Sequence, residues 1–333
     1  MARIKDVAKA ANVSTATVSH VINGTRYVSE STKVKVYQAM KQLDYKPNLV
    51  AKSLRSRKSM IIGLIVPMVY TDTSNFFFMS IANGIETIVK KKGYNLILGN
   101  SHEDLKTEID QIKLFNTQLI DGLIIAPTAS KYSEYEDAFT GDYPVVFIDR
   151  KPEGYNGDIV MSDGYLGTFE AVSTLLEKGY QKIGFITGHL GISTSNDRLT
   201  GYMKALDEYG IQVDQSLIKE GSPGFSEGYK LAEELVNEEG VTAIFVSNNV
   251  MTMGALKFLN ESNILIPGDI AIIGFDDYDW MKITTPPLSV VEQPSYEMGE
   301  KAVNILLKRI EEGEKKGKEN ILLPTNFISR ESI

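Results

Sequence analysis

Three short amphipathic stretches open the chain. Ile4, Val7, Ala8 and Ala11 recur at helical spacing and predict one helix. Asn12 follows where the chain must turn sharply, a conformation that Asn tolerates. Ser14 is placed to cap a second helix whose buried stripe is Val18, Val21 and Ile22, and Gly24 stops it. Ser29 is placed to cap a third, with Val36, Tyr37, Met40 and Leu43 as its apolar face. Helix, tight turn, helix and support helix in so few residues predict a helix-turn-helix head over 1–46.

From residue 60 the pattern changes. The runs 61–66, 95–98, 122–125 and 145–148 are apolar apart from Asn95, the pattern of strands buried on both faces. Helical patterns of roughly 12–17 residues separate them, the spacing of right-handed crossovers. The alternation resumes with 182–186, 243–246 and 270–273. This predicts two doubly wound α/β lobes, one from about 60–160 and 290–322, the other from about 161–289 and 323–333. Such lobes bind ligands beyond the carboxyl ends of their strands. Asp149, Asn248 and Asp276 stand at such ends, so a cleft lined by polar groups is expected between the lobes.

Composition sharpens this division. The 333 residues are 43% hydrophobic and 23% charged, a globular balance with room for two or three domains. Residues 1–58 carry twelve lysines and arginines against three acids, a surplus of nine. The remainder carries 23 against 40, a deficit of seventeen. A cationic head on an acidic body suits contact with a polyanion. Its second helix also presents Thr15, Ala16, Thr17, Ser19 and His20, a face without an acid on which short side chains allow deep entry into a major groove and His20 can meet a base edge. No apolar run reaches the ~18 residues of a membrane span. The first twenty residues carry no apolar signal core, and there are no cysteines, so a cytoplasmic protein without disulfides or membrane attachment is expected.

Catalytic chemistry is poorly represented. No G-x-G-x-x-G follows a strand, and there is no G-x-x-x-x-G-K-[ST]. His20, His102 and His189 are scattered without metal-ligand spacing. Asp276, Asp277 and Asp279 have no partner carboxylate at a definable distance, and no serine elbow accompanies Gly188-His189. Neither an enzyme nor a cofactor is expected.

The stretch Ile4-Lys5-Asp6-Val7-Ala8 through Val13-Ser14-Thr15-Ala16-Thr17-Val18-Ser19-His20-Val21-Ile22-Asn23 resembles the DNA-binding head of the LacI-type (LacI/GalR) transcription regulators, nearest to their ribose-repressor and purine-repressor branches. The resemblance implies Thr15, Ala16 and His20 as base readers, and Ser14, Thr17, Asn23 and Tyr45 as phosphate anchors. It makes residues 47–58 a hinge in which Leu54, with Arg55 beside it, wedges into the minor groove. A helix that short is far below the ~12–15 residues needed for stability alone, so it forms only when something holds it.

Across 59–333 the chain is similar to the periplasmic sugar-binding fold that this family carries as its effector and dimerisation domain. Position by position, the resemblance implies Asn75, Phe77, Phe78, Asp149, Arg150, Arg198, Phe225, Asn248, Asp276 and Gln293 as ligand contacts. Aromatic rings suit the C–H face of a sugar, and planar Asp, Asn, Gln and Arg groups suit its hydroxyl rim. A buried Asp149–Arg150–Arg198 group is expected to be costly when empty, which favours closure around a ligand. The expectation is a repressor of a sugar operon: a homodimer on palindromic operator DNA, without a tetramerising tail, controlled by a monosaccharide, preferably a ribose-like pentose. A same-fold regulator answering to a purine nucleobase or a phosphocarrier protein is the alternative. A sugar-binding transport protein or a sugar-processing enzyme is a third class.

Overall fold

The computed structural model describes residues 2–24, 26–45, 58–69, 75–135, 137–313 and 317–333. The chain divides into two compact units, Met1–Ser59 and Met60–Ile333. The expected hinge, including Leu54 and Arg55, lies outside the described residues. No helix among the described residues is long and apolar enough to cross a membrane.

The first unit holds α1 (Ile4–Ala10), α2 (Thr15–Asn23) and α3 (Glu30–Gln42). Val7, Ala8, Ala11, Val18, Val21, Val36 and Ala39 form its core. Arg3 offers no good cap, and the first turn is held from inside by Asp6, whose carboxylate accepts the Arg3 backbone N–H at 2.8 Å. Asn12 (φ 50°) and Gly24 (φ 64°) take the left-handed conformations their positions demand. Tyr37, expected on the buried face of α3, is 53% exposed, and the smaller Ala39 fills the core position.

The second unit contains two six-stranded sheets. The strands are β1 (Ile61–Val66), β2 (Asn95–Asn100), β3 (Gly122–Ile125), β4 (Val145–Ile148), β5 (Asp158–Ser162), β6 (Ile183–Thr187), β7 (Ile218–Glu220), β8 (Ala243–Val246), β9 (Ala271–Phe275), β10 (Ser289–Glu292), β11 (Asn320–Leu323) and β12 (Asn326–Ile328). The orders are β11-β5-β4-β3-β1-β2 and β12-β10-β9-β8-β6-β7, so each strand of one lobe has a counterpart in the other. Pairing is parallel except between β10 and β12. The helices are α4 (Asn75–Lys91), α5 (Leu105–Thr117), α6 (Gly164–Glu177), α7 (Ser193–Glu208), α8 (Phe225–Glu234), α9 (Asn249–Glu261), α10 (Asp279–Lys282) and α11 (Ser295–Glu312). The seven expected strands are present. The other five, β5, β7, β10, β11 and β12, are short and partly polar, too weak a pattern to read in advance.

Glycine sets how closely the helices cross. A Cβ on Gly84 of α4 would lie 2.2 Å from the Tyr296 carbonyl oxygen of α11, and one on Gly299 would lie 2.2 Å from that of Ile81. Backbone therefore meets backbone at this crossing. In the same lobe Arg309 of α11, almost fully buried, grips Asp158 of β5 through Nε (2.7 Å) and Nη2 (2.8 Å). The Asp158 carboxylate also accepts the Glu319 N–H at 2.8 Å.

The strand pairing moves the lobe boundaries of the sequence reading. Ser289–Glu292 belongs to the second sheet and Asp158–Ser162 to the first. The chain crosses between lobes after β5, after β10 and after β11. The crossings are tied together: Ser162 Oγ donates to Gln293 Oε1 (2.5 Å), and Thr325 Oγ1 donates to the Asp163 carbonyl (2.9 Å).

Candidate functional site

In the helix-turn-helix unit, Ser14 Oγ accepts the Thr17 backbone N–H at 3.0 Å and lies 2.9 Å from Thr17 Oγ1. Ser14 caps α2 as expected, with the Thr17 hydroxyl hydrogen-bonded to it. Ser14, Thr15 and Ala16 are exposed, whereas Thr17, Ser19 and His20 are half-buried. Tyr45 is half-buried against the helical core. Asn23 ends α2, and its side chain lies outside the described residues.

The second unit has a cavity of about 580 Å³ between its lobes. Phe77, Phe78, Asp149, Arg150, Arg198, Asn248, Asp276 and Gln293 line it, so eight of the ten expected ligand contacts come together. Their placement follows from the fold. Asp149 ends β4 and Asp276 ends β9, equivalent strands of the two sheets. Both aspartates are left-handed, at φ 70° and 68°. Each N–H is anchored to the neighbouring strand, Asp149 to the Val160 carbonyl (2.9 Å) and Asp276 to that of Val291 (2.8 Å).

Burial pushes the Asp149 carboxyl above the usual carboxylate range, against the opposing pull of Arg150 and Arg198. Arg150 is gripped in two-pronged fashion by Glu103, with Nη1 2.8 Å from Oε2 and Nη2 2.6 Å from Oε1. Burial alone would lower the Arg150 pKa; the Glu103 hydrogen bonds and the charges of Glu103 and Asp149 outweigh it and hold the guanidinium above its ordinary value. Glu103 offsets part of the expected cost of the empty Asp149–Arg150–Arg198 group, while Arg150 Nε and Arg198 Nε have no hydrogen-bond partner among the described residues.

Arg198 lies on the Phe275 ring, 3.8 Å from its centroid. Its Nη1 donates to the Ser247 carbonyl (2.6 Å), and Nη2 lies 3.4 Å from Gln293 Oε1. Burial lowers its pKa, with Asp276 and Asp149 opposing. Gln293 Nε2 donates to Asp276 Oδ1 at 2.7 Å, so this crossing residue orients the carboxylate of the second lobe. Asn249 Nδ2 donates to the other oxygen at 2.6 Å. Asn248 caps α9, its Oδ1 accepting the N–H groups of Val250 (3.0 Å) and Met251 (3.1 Å).

Two expected contacts lie outside the cavity lining. Asn75 begins α4, and its Nδ2 reaches back to the Val69 carbonyl at 3.3 Å. Phe225 begins α8 and is 38% exposed; its own carbonyl is pressed against α9 at Gly254, which fixes the helix start and leaves the ring at the surface. Sequence reasoning also missed lining residues, notably Glu103, Thr128, Ser195 and Asn249. A signal existed for two of them: Glu103 follows the carboxyl end of β2 and Asn249 that of β8. The arrangement presents acceptors and donors from both lobes around one wall of phenylalanine, and suits a small, hydroxyl-rich molecule.

Residues 3–48 match the family profile "Bacterial regulatory proteins, lacI family". Residues 172–333 match "Periplasmic binding protein-like domain". The chain is 36% identical over 315 residues to the "HTH-type transcriptional repressor PurR" of Vibrio atlanticus (strain LGP32), covering 94% of this chain and 93% of the relative. It is 36% identical over 333 residues to the "Ribose operon repressor" of Bacillus subtilis (strain 168), covering 100% and 98%. Among solved structures, the lac repressor dimer bound to operator and the anti-inducer ONPF aligns with a TM-score of 0.86 at 27% identity, over 99% of this chain and 98% of that one. A LacI family transcriptional regulator from Enterococcus faecium with bound ribose aligns with a TM-score of 0.72 at 30% identity, over 82% of this chain and 98% of that one.

Proposed function

This chain belongs to the lacI family of bacterial regulatory proteins, and from that premise we propose that it is a repressor whose grip on operator DNA is set by a monosaccharide in its interlobe cleft. The relatives are named transcriptional repressors, and the role assigned here is likewise regulation and not catalysis. The observation that carries the sugar reading is the pair Asp149 and Asp276. They reach one cavity from equivalent strand ends of opposite lobes, with Arg150, Arg198, Asn249 and Gln293 between them. Carboxylates on both sides accept from hydroxyls pointing in opposite directions, which a sugar ring has and a flat nucleobase lacks. Phe77 and Phe78 meet edge to face at 5.2 Å. They form an apolar wall, not two parallel plates for a planar heterocycle.

A pentose of the ribose type is the effector preferred, in keeping with the ribose operon repressor relative and the ribose-bound neighbour. Equal identity to a PurR relative keeps the nucleobase as the competing ligand. The DNA assignment is Thr15, Ala16 and His20 on base edges with Ser14, Thr17, Asn23 and Tyr45 on phosphates, two heads of a homodimer meeting two half-sites of a palindrome. Ligand closes the lobes and loosens the heads; a coupling of about 1–3 kcal/mol gives a ~5–150-fold change in operator affinity. Calorimetry with D-ribose and with hypoxanthine, followed by gel shift on a palindromic duplex, tests this. Ribose is expected to bind and to release DNA. Binding of hypoxanthine alone, or tighter DNA binding with ribose, overturns it.

A further inference from the structure

Glu103 is not among the expected ligand contacts, yet it forms a two-pronged ion pair in the cleft. Its carboxylate covers both terminal nitrogens of Arg150, at 2.8 and 2.6 Å. The loop that delivers it is unusual: His102 (φ 55°) and Glu103 (φ 57°) are consecutive left-handed residues without a glycine. The pair is sheltered, with side-chain exposures of 13% for Arg150 and 30% for Glu103. What remains of the guanidinium is Nε, 3.5 Å from Asp149 Oδ2 and without a hydrogen-bond partner among the described residues.

The consequence concerns charge. An arginine fork is the protein group best matched to a phosphate or carboxylate, which it binds through two parallel N–H bonds. Here that fork is filled from within the same lobe. The other guanidinium in the cleft, Arg198, lies on the Phe275 ring with Nη1 on the Ser247 carbonyl and Nη2 3.4 Å from Gln293, while its Nε has no hydrogen-bond partner among the described residues. An anion entering the cleft meets Asp149, Asp276 and Glu103, finds the Arg150 fork filled, and has only the Nε edge of Arg198 left to it among the described guanidinium groups. Like charges brought together in a sheltered site repel strongly.

We propose that Glu103 is a specificity-determining residue that reserves the cleft for uncharged sugars by occupying the Arg150 fork, so that phosphorylated and carboxylated sugars are refused. This rests on the sugar reading of the cleft and extends it to a ligand class. Release of Arg150 should convert the same cavity into one that takes a sugar phosphate.

The test is calorimetry on the full chain with D-ribose and D-ribose 5-phosphate. The variants are Glu103→Asn, whose shorter side chain suits a left-handed position, and Glu103→Gln, which keeps length and removes charge. The wild type is expected to bind ribose 5-phosphate at least about ten-fold more weakly than ribose, and both variants to gain about ten-fold or more for the phosphate. The gain should vanish when Arg150→Met is added. A wild type that binds the phosphate as well as ribose overturns the proposal even if neither variant folds, and so does a folded variant that gains nothing. If the wild type ignores ribose while the variants gain ribose 5-phosphate, the sugar-repressor reading falls and the role of Glu103 stands.

Discussion

Asp149 is 6% exposed, and its carboxyl is raised by burial. A carboxyl raised in the folded state favours the fold in its protonated form. That stability is complete below the ordinary carboxylate value of about 4 and is lost as pH rises through the raised value. Above that raised value the ionised Asp149 is therefore a standing cost that a hydroxyl-rich ligand offsets. Asp149→Asn is expected to raise the melting temperature of the ligand-free protein by roughly 2–4 °C and to abolish its shift with ribose. Differential scanning with and without sugar checks both, and a lower ligand-free melting temperature contradicts the account. In the head, His20→Ala should cost about 1–3 kcal/mol at one operator base pair, measured by gel shift on single-base operator variants. An equal loss on unrelated DNA would assign His20 to phosphate contact. At this scale the sequence was legible where a polar residue directly follows a buried apolar run, as with Asp149 and Asp276. It was not legible at Glu103, because the approach to Arg150 depends on two left-handed residues that no periodicity announces. Phe225 lies outside the cavity lining, its helix start set by close packing on Gly254 that no sequence pattern announces.

Among the elements, α11 shows how one ion pair binds a returning helix to a sheet it left long before in the chain. Burial would raise the Asp158 carboxyl, but the hydrogen bonds from Arg309 and the Glu319 N–H and the charge of Arg309 win, so it sits below the usual carboxylate range. A depressed carboxyl contributes stability above its unfolded value of about 4 and loses it as pH falls through the folded value. Arg309→Met is expected to cost about 3–5 kcal/mol at pH 7, since it strands a sheltered carboxylate. In urea unfolding that difference should shrink as pH falls below about 4. A constant difference across that range would mean that packing, not charge, ties α11 to β5. The apolar strands were readable from sequence because burial on both faces leaves few polar interruptions; β2 is the exception, an edge strand with Asn95 and Leu98 exposed where a buried strand was expected. Strands such as Ile218–Glu220 and Asn326–Ile328 are three residues each, and their identity comes from the partner they pair with.

At the level of the whole molecule, sequence divided the chain correctly into a helical head and a two-lobed α/β body. The charge imbalance had the same boundary, with the cationic surplus confined to the first 58 residues. Sequence also placed three crossings between the lobes, within about three residues of those after β5, β10 and β11; what it did not reveal is how they are tied together, because that depends on contacts between residues more than a hundred positions apart, such as Ser162 with Gln293. Those three laced crossings have a mechanical meaning. Like the spine of a book, stitches set side by side allow the covers to swing about one line and resist sliding or twisting. Gln293, stitched at once to Ser162 and Asp276, joins that spine to the wall of the cavity, so a ligand that shifts Asp276 is expected to pull at the fold of the page.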